Sequence, residues 1–157
     1  EHLEAAIFGR DWERTFFYDG LTPLQGGCAE GPLTAGNLAV IASLFGTPYA
    51  PCLDGRILVL EDVHEPVYRI DRMLTTLAVG GHFDRAAGFL LGDFTQCDPG
   101  PDRITVTDVL RDRLGPLGVP VAAGAPVGHG LVNEPVVLGA PTLLDARVDG
   151  ARAVLAP

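Results

Sequence analysis

Short apolar runs alternate with segments of helical period through the middle of the chain. The run ILVL at 57–60 follows an Asp-Gly pair and predicts a strand buried on both faces. From Pro66 the period changes, because the apolar positions fall on one helical stripe that ends before Gly80-Gly81. The stripe consists of Val67, Ile70, Met73, Leu74 and Leu77. It predicts a helix that packs its apolar side on a core.

The same reasoning predicts further elements on both sides of this pair. A helix is expected over 37–46, with Asn37 as N-cap and Gly46 at its end. Strands are expected at 86–94 and 119–126, with a helix over 105–115 between them. At the start, 2–9 has a helical pattern and 14–19 suits a strand, whereas the Gly- and Pro-rich stretch 20–36 predicts a loop with an edge strand around 32–34.

The last part of the chain predicts a hairpin. Asp149-Gly150 separates two apolar runs within 143–156, which is a strong signal for an antiparallel turn. Strands that alternate with helices, followed by this hairpin, indicate an α/β fold with a mixed, partly parallel central sheet. The length of 157 residues suits a single domain over 1–157.

Composition excludes several classes of function. Eleven basic residues, all Arg, against twenty acidic ones give a net charge of −9, which disfavours nucleic acid and anionic membranes. No apolar run reaches the roughly 20 residues that span a bilayer. Cys28, Cys52 and Cys97 are scattered and lack CxxC spacing, so we expect neither disulfides nor zinc, no cofactor, and a reducing cytoplasm.

Two acids follow the central ILVL strand directly. Glu61 and Asp62 would lie at the carboxyl end of that strand, where open α/β sheets place their sites. A carboxylate there can orient a histidine or act as an acid or base. The alternative is structural, with one acid capping the following helix and the other facing water.

His129 is the second candidate, because PVGHG follows another predicted strand. Its flanking glycines permit unusual backbone angles and close approach by a ligand, and histidine exchanges protons near neutral pH. The alternative is a histidine that merely packs on its turn. His64 is close enough in sequence to pair with Glu61, but Asp62, His64 and Glu65 lack the spacing of a metal site. The single serine, Ser43, lies inside a predicted helix, so no nucleophile is evident.

Four blocks of sequence, in this order, resemble the LD-carboxypeptidases. They are AGNLAVIASLFGTPYAP, ILVLEDVHEPVYRIDRMLTTL, GFLLGDFTQC and PVGHG, and the resemblance covers roughly 31–145. These serine peptidases remove the terminal D-alanine from peptidoglycan tetrapeptides, and the family includes the microcin-immunity peptidases.

The resemblance implies a two-domain enzyme with a Ser-His-Glu triad. Glu61 and His129 match the family's Glu and His, whereas the Ser and the oxyanion hole belong to an N-terminal domain. This chain then resembles the C-terminal domain alone, of the swivelling β/β/α type, with 1–30 as interdomain connection and edge elements. Its expected partners are a murein tetrapeptide and its own N-terminal domain, with a homodimer suggested, and the isolated chain should be inactive.

The chain departs from the family pattern at two positions. Ala35 stands where the family usually has Gly, which matters only if that φ is positive, and His64 also replaces a usual Gly.

A non-catalytic binding domain is one alternative function, because the nucleophile is missing. A peptidase acting on a peptide-nucleotide antibiotic is the other.

Overall fold

The computed structural model describes residues 16–147 and 151–155. Seven strands and three α-helices lie within these ranges. In chain order they are β1 Phe16–Gln25, β2 Cys28–Asn37, α1 Leu38–Leu44, β3 Ile57–Val63, α2 Val67–Val79, β4 Gly88–Thr95, α3 Val106–Leu114 with a 3-10 turn at Gly115–Leu117, β5 Val121–Ala123, β6 Pro141–Asp145 and β7 Ala151–Leu155.

The strands close into a barrel in the order β1-β5-β4-β3-β2-β6-β7. β2, β3, β4 and β5 run parallel to their neighbours in this series. The remaining pairs, including the β6–β7 pair, are antiparallel. The predicted α/β class, the mixed, partly parallel sheet and the C-terminal antiparallel pair are therefore confirmed, although Asp149-Gly150 lies outside the described residues. The swivelling type of domain and the role of 1–30 stay predictions.

The barrel wall separates two apolar cores. One core fills the barrel interior and contains alternate residues of β3 and β4, such as Ile57, Val59 and Leu90. The other lies between the outside of the parallel strands and the three helices, and it contains the intervening residues Leu58 and Leu60. This two-sided burial explains why ILVL lacks alternation, because both faces of a parallel strand are covered.

The helices begin and end where their caps predict. Asn37 accepts a hydrogen bond from the Val40 amide at the start of α1, and Gly46, with φ of +88°, follows the end of that helix. Thr105 and Asp108 form a reciprocal capping box at the start of α3, and Gly115 ends it as expected.

The loop predicted for 20–36 is wrong, because this stretch forms most of two ten-residue strands. The strand expected around 32–34 is present within β2, but it has neighbours on both sides and is not an edge strand. Its glycines allow close approach of backbones rather than a loop. A Cβ on Gly31 would lie 2.2 Å from the Gly55 carbonyl oxygen. The predicted helix at 2–9 and the start of the strand at 14–19 lie outside the described residues. Within the described part of the chain, no helix is both long and apolar enough to cross a membrane.

Candidate active site

The two acids at the end of β3 lie on opposite faces of the barrel wall. Side chains alternate along a strand, so Glu61 follows Ile57 and Val59 on the interior side, and Asp62 follows Leu58 and Leu60 on the helix side. Both are buried, with 7% of Glu61 and 2% of Asp62 exposed. The alternative in which one of these acids faces water is therefore wrong.

Asp62 belongs to the start of α1. Its carboxylate accepts hydrogen bonds from Asn37 Nδ2 at 2.8 Å, from the Ala39 amide at 3.0 Å and from the Val63 amide at 2.8 Å. The alternative in which one of the acids caps the following helix is also wrong, because α2 begins after Pro66 without a side-chain cap and Asp62 binds the helix before it. A carboxylate near a helix N-terminus is favoured by the unpaired amides there.

A bulge in β4 faces Glu61. Leu60 pairs with Leu91 and Asp62 pairs with Phe94, so two residues of β4, Gly92 and Asp93, stand opposite one residue of β3. A Cβ on Gly92 would lie 2.2 Å from the Val127 carbonyl oxygen and 3.3 Å from Cβ of Glu61. The absence of a side chain at Gly92 therefore allows the segment that carries His129 to lie against the end of β3.

The histidine segment is fastened to the sheet by backbone hydrogen bonds. The Asp93 amide donates to the Val127 carbonyl at 2.9 Å, and the Glu134 amide donates to the Pro126 carbonyl at 2.7 Å. Gly128 has φ of +121°, and a Cβ there would lie 2.9 Å from both Cβ and Oε2 of Glu61. A glycine is therefore required beside the histidine both for its backbone angle and for space.

These elements bring Glu61 and His129 together from 68 residues apart. His129 Nδ1 and Glu61 Oε2 are 2.7 Å apart. With Glu61 ionised, its carboxylate only accepts, and the contact is then a hydrogen bond that Nδ1–H donates to Oε2. The Glu61 side chain is 10% exposed and the His129 side chain 53% exposed. The buried acid thus fixes one imidazole nitrogen, and Nε2 has no hydrogen-bond partner among residues 16–147 and 151–155.

His64 does not compete for this carboxylate. Its side chain is exposed, whereas its backbone has φ of +59° and its amide donates to the Thr95 carbonyl at 3.0 Å. A glycine would suit this left-handed position, so the departure from the family pattern is a matter of backbone conformation. Ala35 is not in the left-handed region, and its replacement of a family glycine introduces no such strain.

The described residues offer neither a nucleophile beside His129 nor a metal site. Ser43 lies on α1, where its hydroxyl donates to the Val40 carbonyl at 2.7 Å. Within 16–147 and 151–155, no three His, Cys, Asp or Glu side chains converge as metal ligands.

Sequence reasoning missed three contributors to this geometry. Gly92 and Asp93 form the bulge, for which the sequence carries no signal beyond a glycine in a strand. Asn133, whose side chain binds the Gly128 amide at 3.2 Å, carries only the general signal that Asn is common in turns and bonds to nearby backbone there. Strand alternation, applied beyond Leu60, would also have separated Glu61 from Asp62.

Comparison with known proteins agrees with this arrangement. Residues 30–144 match the LD-carboxypeptidase C-terminal domain. A Streptomyces coelicolor protein named as a carboxypeptidase is 44% identical over 147 residues, which are 93% of this chain and 46% of its own length. The murein tetrapeptide carboxypeptidase of Pseudomonas aeruginosa is 34% identical over 119 residues, which are 74% of this chain and 38% of that protein.

The fold has a solved counterpart. The crystal structure of muramoyltetrapeptide carboxypeptidase from Oxalobacter formigenes superposes with a TM-score of 0.81 at 26% sequence identity, covering 99% of this chain and 54% of the other. This chain spans about half or less of the length of these proteins. Because the family match covers well over half of the chain, the chain belongs to the LD-carboxypeptidases and comprises their C-terminal domain.

Proposed function

We propose that this chain is the Glu/His half of a serine LD-carboxypeptidase that removes the terminal D-alanine from peptidoglycan-derived tetrapeptides. The observation that carries the proposal is the 2.7 Å hydrogen bond between buried Glu61 and the half-exposed imidazole of His129. Relatives named for murein or muramoyl tetrapeptides support the choice of substrate. In this proposal the nucleophilic Ser and the oxyanion hole reside on an N-terminal domain.

The geometry suits the two proton transfers of acyl transfer. Nε2 of His129 takes the proton of the Ser hydroxyl as the Ser oxygen bonds to the carbonyl carbon of the L,D bond. When the carbon–nitrogen bond breaks, the same nitrogen returns the proton to the amine of the departing D-alanine. Water then enters in place of Ser, and His129 repeats both transfers to release the shortened peptide.

Glu61 has a fixed part in this cycle. Its bond to Nδ1 keeps the free electron pair on Nε2 and stabilises the imidazolium that forms between the two transfers. Burial holds this carboxylate still, since the bulge in β4 and the main chain at Gly128 surround it. The net charge of the chain, −9, disfavours a nucleic-acid substrate.

The test measures release of D-alanine from a muramoyl tetrapeptide by a protein that contains both halves. Glu61→Gln keeps the shape of the side chain and removes its charge, and His129→Ala removes the base, so we expect losses of about 10³-fold or more in kcat. His64→Gly is the matched control, because it removes an imidazole that lies three residues from Glu61 and leaves the pair intact. Unchanged activity of either pair variant would falsify the assignment.

The isolated 157-residue chain provides a second measurement. It supplies the base without the nucleophile and oxyanion hole, so we expect no turnover above background. Turnover that is lost in His129→Ala would show that the chain acts by another mechanism. If the chain were instead a stand-alone binding domain, it would bind the tetrapeptide without hydrolysing it, and addition of the N-terminal domain would not produce hydrolysis.

A further inference from the structure

A short loop presents His129 to solvent, and one side chain closes it. The loop runs from Gly128 to Asn133, and Asn133 Oδ1 accepts a hydrogen bond from the Gly128 amide at 3.2 Å. Just outside it, the Glu134 amide donates to the Pro126 carbonyl at 2.7 Å. The two bonds bring the ends of the loop together on either side of His129.

Apart from Gly130, which lies against the Asp93 carboxylate, the tip of this loop has little else to hold it. Leu131 is fully exposed and Val132 is 58% exposed, so neither packs on the core. Gly128 and Gly130 flank the histidine and restrict the backbone least of all residues. A loop of this kind samples many conformations unless its ends are fastened.

The Gly128 amide is also the point at which the loop meets the site. Gly128 packs on Glu61 so closely that a Cβ would lie 2.9 Å from Oε2, the oxygen that binds His129. Rotation of the 127–128 peptide would therefore displace the backbone that carries the imidazole relative to its acceptor. The carbonyl of this peptide already accepts from the Asp93 amide, and the Asn133 side chain binds its N–H, so the two bonds oppose the rotation from both sides of the peptide plane.

We infer that Asn133 is a positioning residue, which keeps the His129 imidazole in register with Glu61 by holding the Gly128 amide. It acts through the loop and does not touch the substrate. The inference rests on the proposed function for its catalytic meaning, but the hydrogen bond between Glu61 and His129 can be measured without substrate.

The experiment determines the tautomer of His129 in the 157-residue chain. The chain is labelled with ¹⁵N in its histidine rings, and long-range ¹H–¹⁵N spectra at mildly alkaline pH give the ratio of Nδ1–H to Nε2–H forms. A His129→Gln spectrum identifies the signal among the four histidines. Glu61→Gln sets the ratio expected without the carboxylate, because the partner of one ring nitrogen decides which nitrogen carries the hydrogen.

We expect the Nδ1–H form to predominate in the unaltered chain. Asn133→Ala should lower the ratio of Nδ1–H to Nε2–H about fivefold, the change that one hydrogen bond of ordinary strength supports. Asn133→Asp keeps an acceptor at the same place and should restore most of the ratio. Val132→Ala is the matched control, since it shortens an exposed side chain in the same loop and should leave the ratio unchanged.

An unaltered ratio in Asn133→Ala would overturn the inference, and so would an equal loss in Val132→Ala. If Asn133→Ala does not fold, amide hydrogen exchange on the unaltered chain decides instead. The inference then requires the Gly128 amide to exchange at least about tenfold more slowly than that of Gly130 after correction for sequence, and equal rates would contradict it.

Activity gives an independent readout in a protein with both halves. There, Asn133→Ala should lower kcat about fivefold and leave KM unchanged, with recovery in Asn133→Asp. If no D-alanine is released by the unaltered enzyme while the tautomer responds as expected, the proposed function fails and the positioning role stands. If D-alanine is released but the tautomer ratio does not change in Asn133→Ala, the proposed function stands and the positioning role of Asn133 fails.

Discussion

At the residue scale, the sequence EDVH at the end of β3 divides its polar groups among three environments. Glu61 lies on the barrel side and binds His129, and Asp62 lies on the helix side and binds α1. His64 leaves the strand in a left-handed conformation with its ring exposed. Each environment sets what a substitution at that position should do.

Replacing His64 by Gly should stabilise the chain. A non-glycine residue at φ of +59° carries a steric cost that exceeds the added freedom of glycine in the unfolded chain, so we expect the free energy of unfolding to rise by about 0.5–1 kcal/mol. Urea denaturation measures this. Gln96→Gly, at φ of +55°, is a parallel case, and a loss of stability confined to His64→Gly would mean that the imidazole makes a stabilising contact.

Replacing Gly128 by Ala should be severely destabilising. The new methyl group would meet Glu61 at 2.9 Å in addition to straining the backbone, and together these cost about 3 kcal/mol or more. Gly139→Ala separates the two effects, because Gly139 has φ of +84° and open space around it. We expect Gly139→Ala to lower the free energy of unfolding by about 1–2 kcal/mol, measured by the same urea denaturation. Equal losses at both positions would show that the contact with Glu61 is unimportant.

At the element scale, the elements that the sequence predicts have a continuous apolar side, whereas the strand that it does not predict contains glycines that pack closely on other segments. The helices and the buried strands β3 and β4 follow from period and caps, since each has a continuous apolar side. β2 could not be predicted in this way, because Gly31 packs closely against Gly55, which is distant in sequence, and Gly36 packs closely against Ile41 of the following helix. The bulge opposite Glu61 likewise arises from a match between two strands, which no single segment encodes.

The attachment of α1 depends on Asp62. In Asp62→Asn, one side-chain oxygen remains an acceptor, but the other is replaced by an NH2 group that faces N–H donors and cannot bind them. We therefore expect the free energy of unfolding to fall by about 2 kcal/mol and the Ala39 amide to exchange faster. Asp71→Asn makes the same chemical change at an exposed ion pair with Arg113, and it should cost less than about 0.5 kcal/mol. A smaller effect at Asp62 than at Asp71 would contradict the role given to the buried network.

At the scale of the whole molecule, closure of the barrel joins the parallel strands to the antiparallel pair β6–β7. The interior core draws on every strand, so Leu144, Ala153 and Leu155 support the same space as Val59 and Leu90. Tyr18 from β1 brings an unpaired polar group into this core, since it is 6% exposed and its hydroxyl has no hydrogen-bond partner among the described residues.

Burial raises the pKa of Tyr18 from 10.0 to about 12, with a further contribution from the charge of Glu134. The folded state thus resists ionisation of Tyr18. The resulting contribution to the free energy of unfolding is fully present below the unfolded pKa near 10 and is lost as pH rises towards 12. We expect unfolding free energy to fall by about 1–3 kcal/mol over this interval and less in Tyr18→Phe. At neutral pH Tyr18→Phe should be neutral or stabilising, because the hydroxyl has no bond to lose within 16–147 and 151–155. If the free energies of unfolding of the unaltered chain and of Tyr18→Phe fell equally over this pH interval, the role given to Tyr18 would be refuted.

The bulge in β4 also makes chain length a constraint on the site. The extra residue at Gly92-Asp93 sets the faces on which Phe94 and Thr95 lie, because a shift of one residue turns every following side chain to the other side of a strand. Deletion of either residue would therefore straighten β4 and withdraw the amide that binds Val127, even though Glu61 and His129 were untouched. In this family member, insertions and deletions should be far less tolerated at 92–93 than at the exposed residues 131–132 of the histidine loop.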